Sequence, residues 1–369
     1  MNVAEQNVFF DLLRYSLWGS KINYDLWRGD WEWSAILKAI DEQALATLML
    51  EAVLVLPEDL QPKEDEVVRL SKQVGANMLR HGSLNKDLIE IFKVLESKGL
   101  HPVLLKGQGN ATFYRKPLLR KCGDLDIYIG IENFEEASVA LRSCNPNRFK
   151  EILDYEKHAV FIFGKTDVEL HRFAGIQHFP FPDKQFQAIS KRELARPDFV
   201  QIEGHDIAIP PAQFNALFVF NHLWGHVRSC GVGLRQFCDL AMVLHQTKDK
   251  IDMQVLEDDL RNMKMMEEWC LVGNALVRYL GMPESEYPFY VRMDDKKVEA
   301  FMRLVFSDGN FGCNNKGDIE RLGYYHRKFH ILLYELERGL RMTSISMPMA
   351  LHNVVYRMAH GVRAIWEKK

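Results

Sequence analysis

The stretch that decides the fold runs from Lys106 to Asp126 and reads Lys-Gly-Gln-Gly-Asn-Ala-Thr-Phe-Tyr-Arg-Lys-Pro-Leu-Leu-Arg-Lys-Cys-Gly-Asp-Leu-Asp. The apolar run just before it, residues 102–106, has the composition of a short buried strand. Gly107-Gln-Gly-Asn then opens a helix predicted to reach Tyr114, and a second strand is predicted over 125–129. A strand that leads through glycine into a helix presents free backbone N–H groups, which suit phosphate, and glycine lets a ligand approach the backbone closely. Asp124 and Asp126 are one residue apart, and on a strand such side chains share a face. Two carboxylates side by side repel unless a cation or a proton lies between them. Divalent metal is the usual resolution, and Mg²⁺ favours carboxylate oxygens. Between Lys106 and Asp124 the charged residues are Arg115, Lys116, Arg120 and Lys121, with no acid among them. Cations for a triphosphate and carboxylates for its metal are therefore neighbours in the chain.

Working downstream, a helix is predicted over 131–144 and short strands over 149–153, 159–163 and 166–171. Elements alternating at this density indicate an α/β unit. On the last strand Asp167, Glu169 and His171 share one face, while Val168 and Leu170 point the other way. If that strand lies beside the Asp124-Leu-Asp126 strand, three carboxylates converge, an arrangement suited to two-metal phosphoryl or nucleotidyl transfer. A small hairpin is predicted from 199–202 and 206–209, closed by Pro210-Pro211.

Outside this unit the period is helical. Leu84, Leu88, Ile91, Phe92 and Leu95 predict a helix from Ser83 to Lys98, with Ser83 as N-cap and Gly99 as C-cap. Residues 44–56 predict a buried helix, too short to cross a bilayer, and Trp18, Trp27, Trp31 and Trp33 predict aromatic packing. Helical spacing resumes with Phe214, Leu217, Phe218 and Asn221, continues over 234–245 and around Trp269, and returns over 324–340 and 350–366. Three regions follow: a helical 1–100, an α/β core over 101–210 and a helical 211–369. The expected class is α+β, a small mixed-sheet core with helical additions at both ends.

Composition narrows the function. The 369 residues are 47% hydrophobic and 26% charged, enough for a full core, which excludes disordered and disulfide-scaffold classes. The net charge of −3 argues against a dedicated nucleic-acid coat. Six scattered cysteines make no disulfide framework. The first residues have neither a basic n-region nor a small-residue cleavage site, so a cytoplasmic protein without membrane association is expected.

The order Leu-Leu-Lys106-Gly107, Tyr114, Arg120, Gly-Asp124-Leu-Asp126-Ile resembles the uncharacterised nucleotidyltransferase family, within the DNA polymerase β-type nucleotidyltransferase superfamily. Val-Glu169-Leu-His171 resembles that family's later strand motif. His222-x-x-Trp-x-His226 and Leu234-Arg-Gln-Phe-Cys-Asp239-Leu resemble its helical tail. The likeness spans roughly residues 80–250. It implies Mg²⁺-dependent transfer of a nucleoside monophosphate from a nucleoside triphosphate, with ATP the expected donor. The receiving group is a hydroxyl of an unidentified small molecule or protein, and pyrophosphate is released. By the resemblance, Asp124, Asp126 and Glu169 are the catalytic acids and hold two Mg²⁺ ions. Lys106, Gly107, Gln108 and Arg120 bind the nucleotide. Gln108 stands where the wider superfamily usually has Ser, so backbone amides and Lys106 carry the phosphates. Glu169 is one methylene longer than the usual Asp, and Asp167 is the alternative third acid. His171, His222 and His226 are candidate substrate-pocket residues.

Other readings are weighed against this one. Gly107-x-Gly109-x-x-Thr112 matches a dinucleotide fingerprint only in part. His222, His226, Cys230 and Cys238 could bind zinc, although their spacing fits no common finger. Arg235 and Asp239, at i,i+4, read as a helix pair. Residues 321–369 carry nine Lys/Arg against three Asp/Glu, which suits an anionic acceptor or solvated helix faces. A catalytically inactive nucleotide- or partner-binding protein on the same fold is the remaining alternative.

Overall fold

The computed structural model describes residues 1–144, 149–176, 180–315, 324–346 and 350. Its sheet has five strands: β1 (Val103–Leu104), β2 (Leu125–Tyr128), β3 (Phe149–Asp154), β4 (His158–Phe163) and β5 (Thr166–His171), in the order β1-β2-β5-β4-β3. Only β2 and β5 run parallel; the other pairs are antiparallel, so the sheet is mixed. A separate hairpin pairs β6 (Asp198–Ile202) with β7 (His205–Ile209). The chain is α+β, with helices before and after this small core. β1 keeps only two residues of the predicted run. Because β1 and β2 are antiparallel, no parallel βαβ unit forms around Gly107, and the dinucleotide-fold reading fails on topology.

Alternation along the central strands separates core from cleft. Leu125, Ile127, Val168 and Leu170 are fully buried on one side of the sheet. At roughly 1.5–3 kcal/mol for each large apolar side chain taken out of water, these residues fix the register, since a slip of one position would turn them to the cleft and drive the acids into the apolar side. Helices Glu64–Glu96 and Phe134–Cys144 cover this side, and Thr166 on β5 donates its hydroxyl to Asp87 of the longer helix at 2.5 Å. The other face of β2 and β5 carries Asp126, Glu169 and His171. It looks across an open cleft at helices Ala212–Arg228 and Leu234–Thr247.

The helix expected to start at Ser83 is much longer, 33 residues from Glu64 to Glu96. Ser83 lies inside it and caps nothing. Before Leu84 only Leu70, Asn77 and His81 are buried, so that stretch is a largely solvated helix with no apolar stripe, and Gly75 and Gly82 mimic a break. The C-cap is Ser97 rather than the expected Gly99; Gly99, two residues on with φ +76°, lets the chain turn so that the Leu100 amide donates to the Leu95 carbonyl at 3.2 Å, a Schellman closure. The buried helix expected over 44–56 is Ala46–Leu54. Trp27, Trp31 and Trp33 form an edge-to-face chain with centroids 5.5 and 5.7 Å apart, and Trp27 donates to Asp11 at 2.8 Å. The helix Tyr324–Met342 follows, whereas the helix expected over 350–366 and most of the basic C-terminal segment lie outside the described residues. Among the described residues, no helix is long and apolar enough to cross a membrane.

Candidate active site

The parallel pairing of β2 with β5 sets Asp126 directly beside Glu169. Asp124, just before β2, joins them, and one carboxylate oxygen from each of the three lies within 4.8 Å of the others. Asp126 is 1% exposed, and its Oδ2 makes no hydrogen bond. A buried carboxylate oxygen left without a donor, with two further carboxylates converging on it, is the donor set of a divalent cation that prefers oxygen. These residues fit Mg²⁺. Asp167 is exposed on the cleft rim and stays outside the trio.

Two lysines and one histidine contact or line this cluster of acids. Lys106 Nζ is 3.1 Å from Asp126 Oδ1, and His171 Nε2 lies 3.2 Å from the same oxygen and 3.3 Å from Glu169 Oε2. Burial alone would raise the Asp126 carboxyl, but Lys106 and the His171 hydrogen bond outweigh it and hold the group below the usual carboxylate range. Glu169 behaves alike: burial raises it, yet His171 and Lys106 bring it down to about 2. Burial works against the Lys106 ammonium, but Asp126, Asp124 and Glu169 more than compensate, so its pKa rises. Lys157 reaches the same pocket from the β3–β4 turn; burial and the nearby Lys106 charge lower its pKa. Sequence reasoning missed Lys157, because only the hairpin closed by the Tyr155 amide on the His158 carbonyl (2.9 Å) carries it to the cleft.

The turn after β1 is built on Gly107, with φ +66° and ψ −117°. A Cβ there would meet the Asp124 carbonyl oxygen at 3.3 Å, so the glycine lets the Lys106 turn lie against the start of the acid strand. The helix that follows is only four residues, Gln108–Ala111, and stops well short of the predicted Tyr114. So short a helix carries little macrodipole, which leaves Lys106 and the turn amides to meet a phosphate. Gly107→Ala should cost about 1–3 kcal/mol, the range for a side chain forced into a sparsely populated backbone region. Urea denaturation reads this as a lowered midpoint; an unchanged midpoint would mean that the turn relaxes freely.

Two residues expected to bind the nucleotide already have protein partners. The buried Gln108 side chain bonds His81 Nδ1 and Asn85 Oδ1, both at 2.9 Å. Arg120 lines the cleft but makes a bidentate pair with Asp239, Nε to Oδ1 and Nη2 to Oδ2 at 2.7 Å each, and Tyr114 donates to Asp239 Oδ1, also at 2.7 Å. Asp239 is thus taken by the sheet domain. The expected i,i+4 pair with Arg235 is absent among the described residues, and Arg235 donates to the Lys121 carbonyl at 3.2 Å.

Across the cleft, of about 960 Å³, stand His222, His226 and Phe311. His226 Nε2 lies 3.2 Å from His222 Nε2, while its Nδ1 faces Cys230 Sγ at 3.4 Å. His226 therefore separates the other two, and among the described residues these side chains form no three-donor metal set, which removes the zinc-finger reading. Burial, then the charge of Lys106, keeps His226 neutral with its pKa down to about 4, and the same causes lower His222 further.

A family model described as "Uncharacterised nucleotidyltransferase" matches residues 29–280 of this chain. No curated protein matches it. Among solved structures, it is similar to an antigenic nucleotidyltransferase-like protein from Paracoccidioides brasiliensis. The identity is 13% and the TM-score 0.33, over 54% of this chain and 92% of that one.

Proposed function

Because the chain belongs to the uncharacterised nucleotidyltransferase family, we propose that it moves a nucleoside monophosphate from a nucleoside triphosphate, ATP as the expected donor, to a hydroxyl of a small molecule or protein. The observation that carries this reading is the convergence of Asp124, Asp126 and Glu169 from two parallel strands beside Lys106. Asp124, Asp126 and Glu169 would hold Mg²⁺, which when bound neutralises phosphate charge and favours deprotonation of the attacking hydroxyl. Lys106 trades its contact with Asp126 for triphosphate oxygens, and Lys157 adds a second cation on the same side. Glu169, with its pKa near 2, is too weak a base to take a proton at neutral pH and serves as a ligand. His222 and His226 are neutral and open to the cleft, so either can accept a hydrogen bond from the acceptor hydroxyl and orient it for in-line attack. Pyrophosphate then leaves.

Incubation with each of four α-labelled nucleoside triphosphates, with and without cell extract, tests the reading. Label should appear on an acceptor, with pyrophosphate, only when Mg²⁺ is present. Triphosphate binding without label transfer or pyrophosphate under any of these conditions would favour a nucleotide-binding protein without turnover.

A further inference from the structure

We propose that His158, Glu169 and His171 form a second metal site, one that takes a borderline divalent transition-metal ion of the Zn²⁺ class rather than Mg²⁺. It shares Glu169 with the proposed Mg²⁺ site but does not depend on nucleotidyl transfer. Antiparallel pairing sets His158 of β4 directly opposite His171 of β5, and Glu169 projects from the same face two residues earlier. His158 Nε2 and His171 Nε2 lie 3.6 and 3.3 Å from one and the same Glu169 oxygen. One donor atom from each residue fits within 4.8 Å of the others.

Two features distinguish this trio from an ordinary histidine–carboxylate contact. His171 Nδ1 is 3.2 Å from the Phe173 carbonyl oxygen, which can only accept. Nδ1 therefore donates to that carbonyl, while Nε2 donates to the carboxylates of Asp126 and Glu169. An incoming ion takes the place of the Nε2 proton, and the Nδ1 bond already holds the ring in the orientation and tautomer that coordination through Nε2 requires. Outer carbonyls fix the tautomer of metal-bound imidazoles in this way. His158, in turn, has no hydrogen bond that accounts for its place. Its Nδ1 is buried without a partner, and Nε2 at 3.6 Å from Glu169 is beyond hydrogen-bond reach. The site is already walled in, with side-chain exposures of 15% for His158, 24% for Glu169 and 1% for His171.

Donor chemistry decides the ion. Imidazole nitrogen suits Zn, Cu, Fe and Ni, whereas all-oxygen sets suit Mg, Ca and Mn. Two nitrogens and one carboxylate on the β4 side thus stand next to three carboxylates on the β2 side, with Glu169 as the common member. A transition ion at the nitrogen site would draw on the carboxylate that Mg²⁺ also needs, so the two occupancies are coupled. Binding exchanges the 3.2 Å contact of His171 Nε2 with Asp126 for the ion.

Co²⁺ alone, titrated into the full chain without nucleotide, is the probe. The expected result is a d–d spectrum saturating at one equivalent, with paramagnetically shifted imidazole resonances from two histidines; excess Mg²⁺, which competes for Glu169, raises the Co²⁺ midpoint without abolishing the spectrum. His158→Asn should weaken Co²⁺ at least ~100-fold, beyond the roughly 10–100-fold that outer partners of a metal site command, while Asp124→Asn retains the signal. No spectrum in the wild type, a spectrum abolished by Mg²⁺ at equal concentration, an unchanged affinity in His158→Asn, or loss in Asp124→Asn would each overturn the proposal. The shifted resonances are read on the wild type, so the test stands even if a variant misfolds. Failure of Mg²⁺–triphosphate binding would leave these outcomes untouched.

Discussion

Asp126→Asn is expected to lower nucleotide transfer by at least ~10³-fold while leaving the chain folded. Asp126 is the central member of the acid trio, 1% exposed and paired across the sheet with Glu169. Asn keeps its volume and one acceptor oxygen but removes the charge. Loss of a direct ligand forfeits several kcal/mol of charge stabilisation at the reacting phosphate, and ~4 kcal/mol corresponds to about three orders of magnitude in rate. The effect on stability should be small. Asp126 and Glu169 repel each other, and Lys106 still has Asp124 and Glu169 nearby to offset the lost pair. Measured together, the labelled-nucleotide assay and a thermal melt separate two roles. Lost transfer with a preserved melt supports a ligand role. A collapsed melt with transfer retained in the folded fraction would make the Lys106–Asp126 pair a structural strut.

The largest stability effect is expected at Asp239. Asp239→Ala leaves the Arg120 guanidinium, 5% exposed, without the carboxylate that takes two of its N–H groups, and it strips Tyr114 of its acceptor. Burial alone would raise the Asp239 carboxyl; Arg120 holds it below the usual range, so the charged pair is the favoured state. Breaking one side of such a buried pair costs about 3–5 kcal/mol. Replacing both partners with apolar residues, Arg120→Met/Asp239→Leu, should recover most of that, less about 1 kcal/mol for the stranded Tyr114 hydroxyl. Guanidinium denaturation of the two variants reads the difference. If Arg120 instead serves the nucleotide, Asp239→Ala would free it: the denaturation midpoint would barely move and triphosphate affinity would rise.

The two predictions also mark how far the sequence could be read. The acids were legible because strand periodicity is local: Asp124-Leu-Asp126 and Val168-Glu169-Leu-His171 each show a buried and an open face within four residues. Their meeting, by contrast, depends on β2 and β5 pairing in parallel across the 37 positions between Tyr128 and Thr166, and no local pattern states that. Arg120 looked like one more cation in a basic run, since its partner Asp239 lies 119 residues away. Lys157 was invisible because a turn residue between two strands has no periodicity to betray its direction. The long helix Glu64–Glu96 was seen only in its second half, where it has a core to face; the solvated half satisfies helix geometry without an apolar stripe. His158 lies just outside the strand expected over 159–163, and only the cross-strand register, which puts it opposite His171, gives it a place.

The central claim is that carboxylates from two strands hold the metal that brings a triphosphate to Lys106. Calorimetric titration with Mg²⁺ and a non-hydrolysable nucleoside triphosphate, on the wild type and on Asp124→Asn/Asp126→Asn, tests it most directly. Triphosphate should bind the wild type only with Mg²⁺ present, and the double variant should show no Mg²⁺-dependent heat. Equal Mg²⁺-dependent binding by both proteins would contradict the assignment.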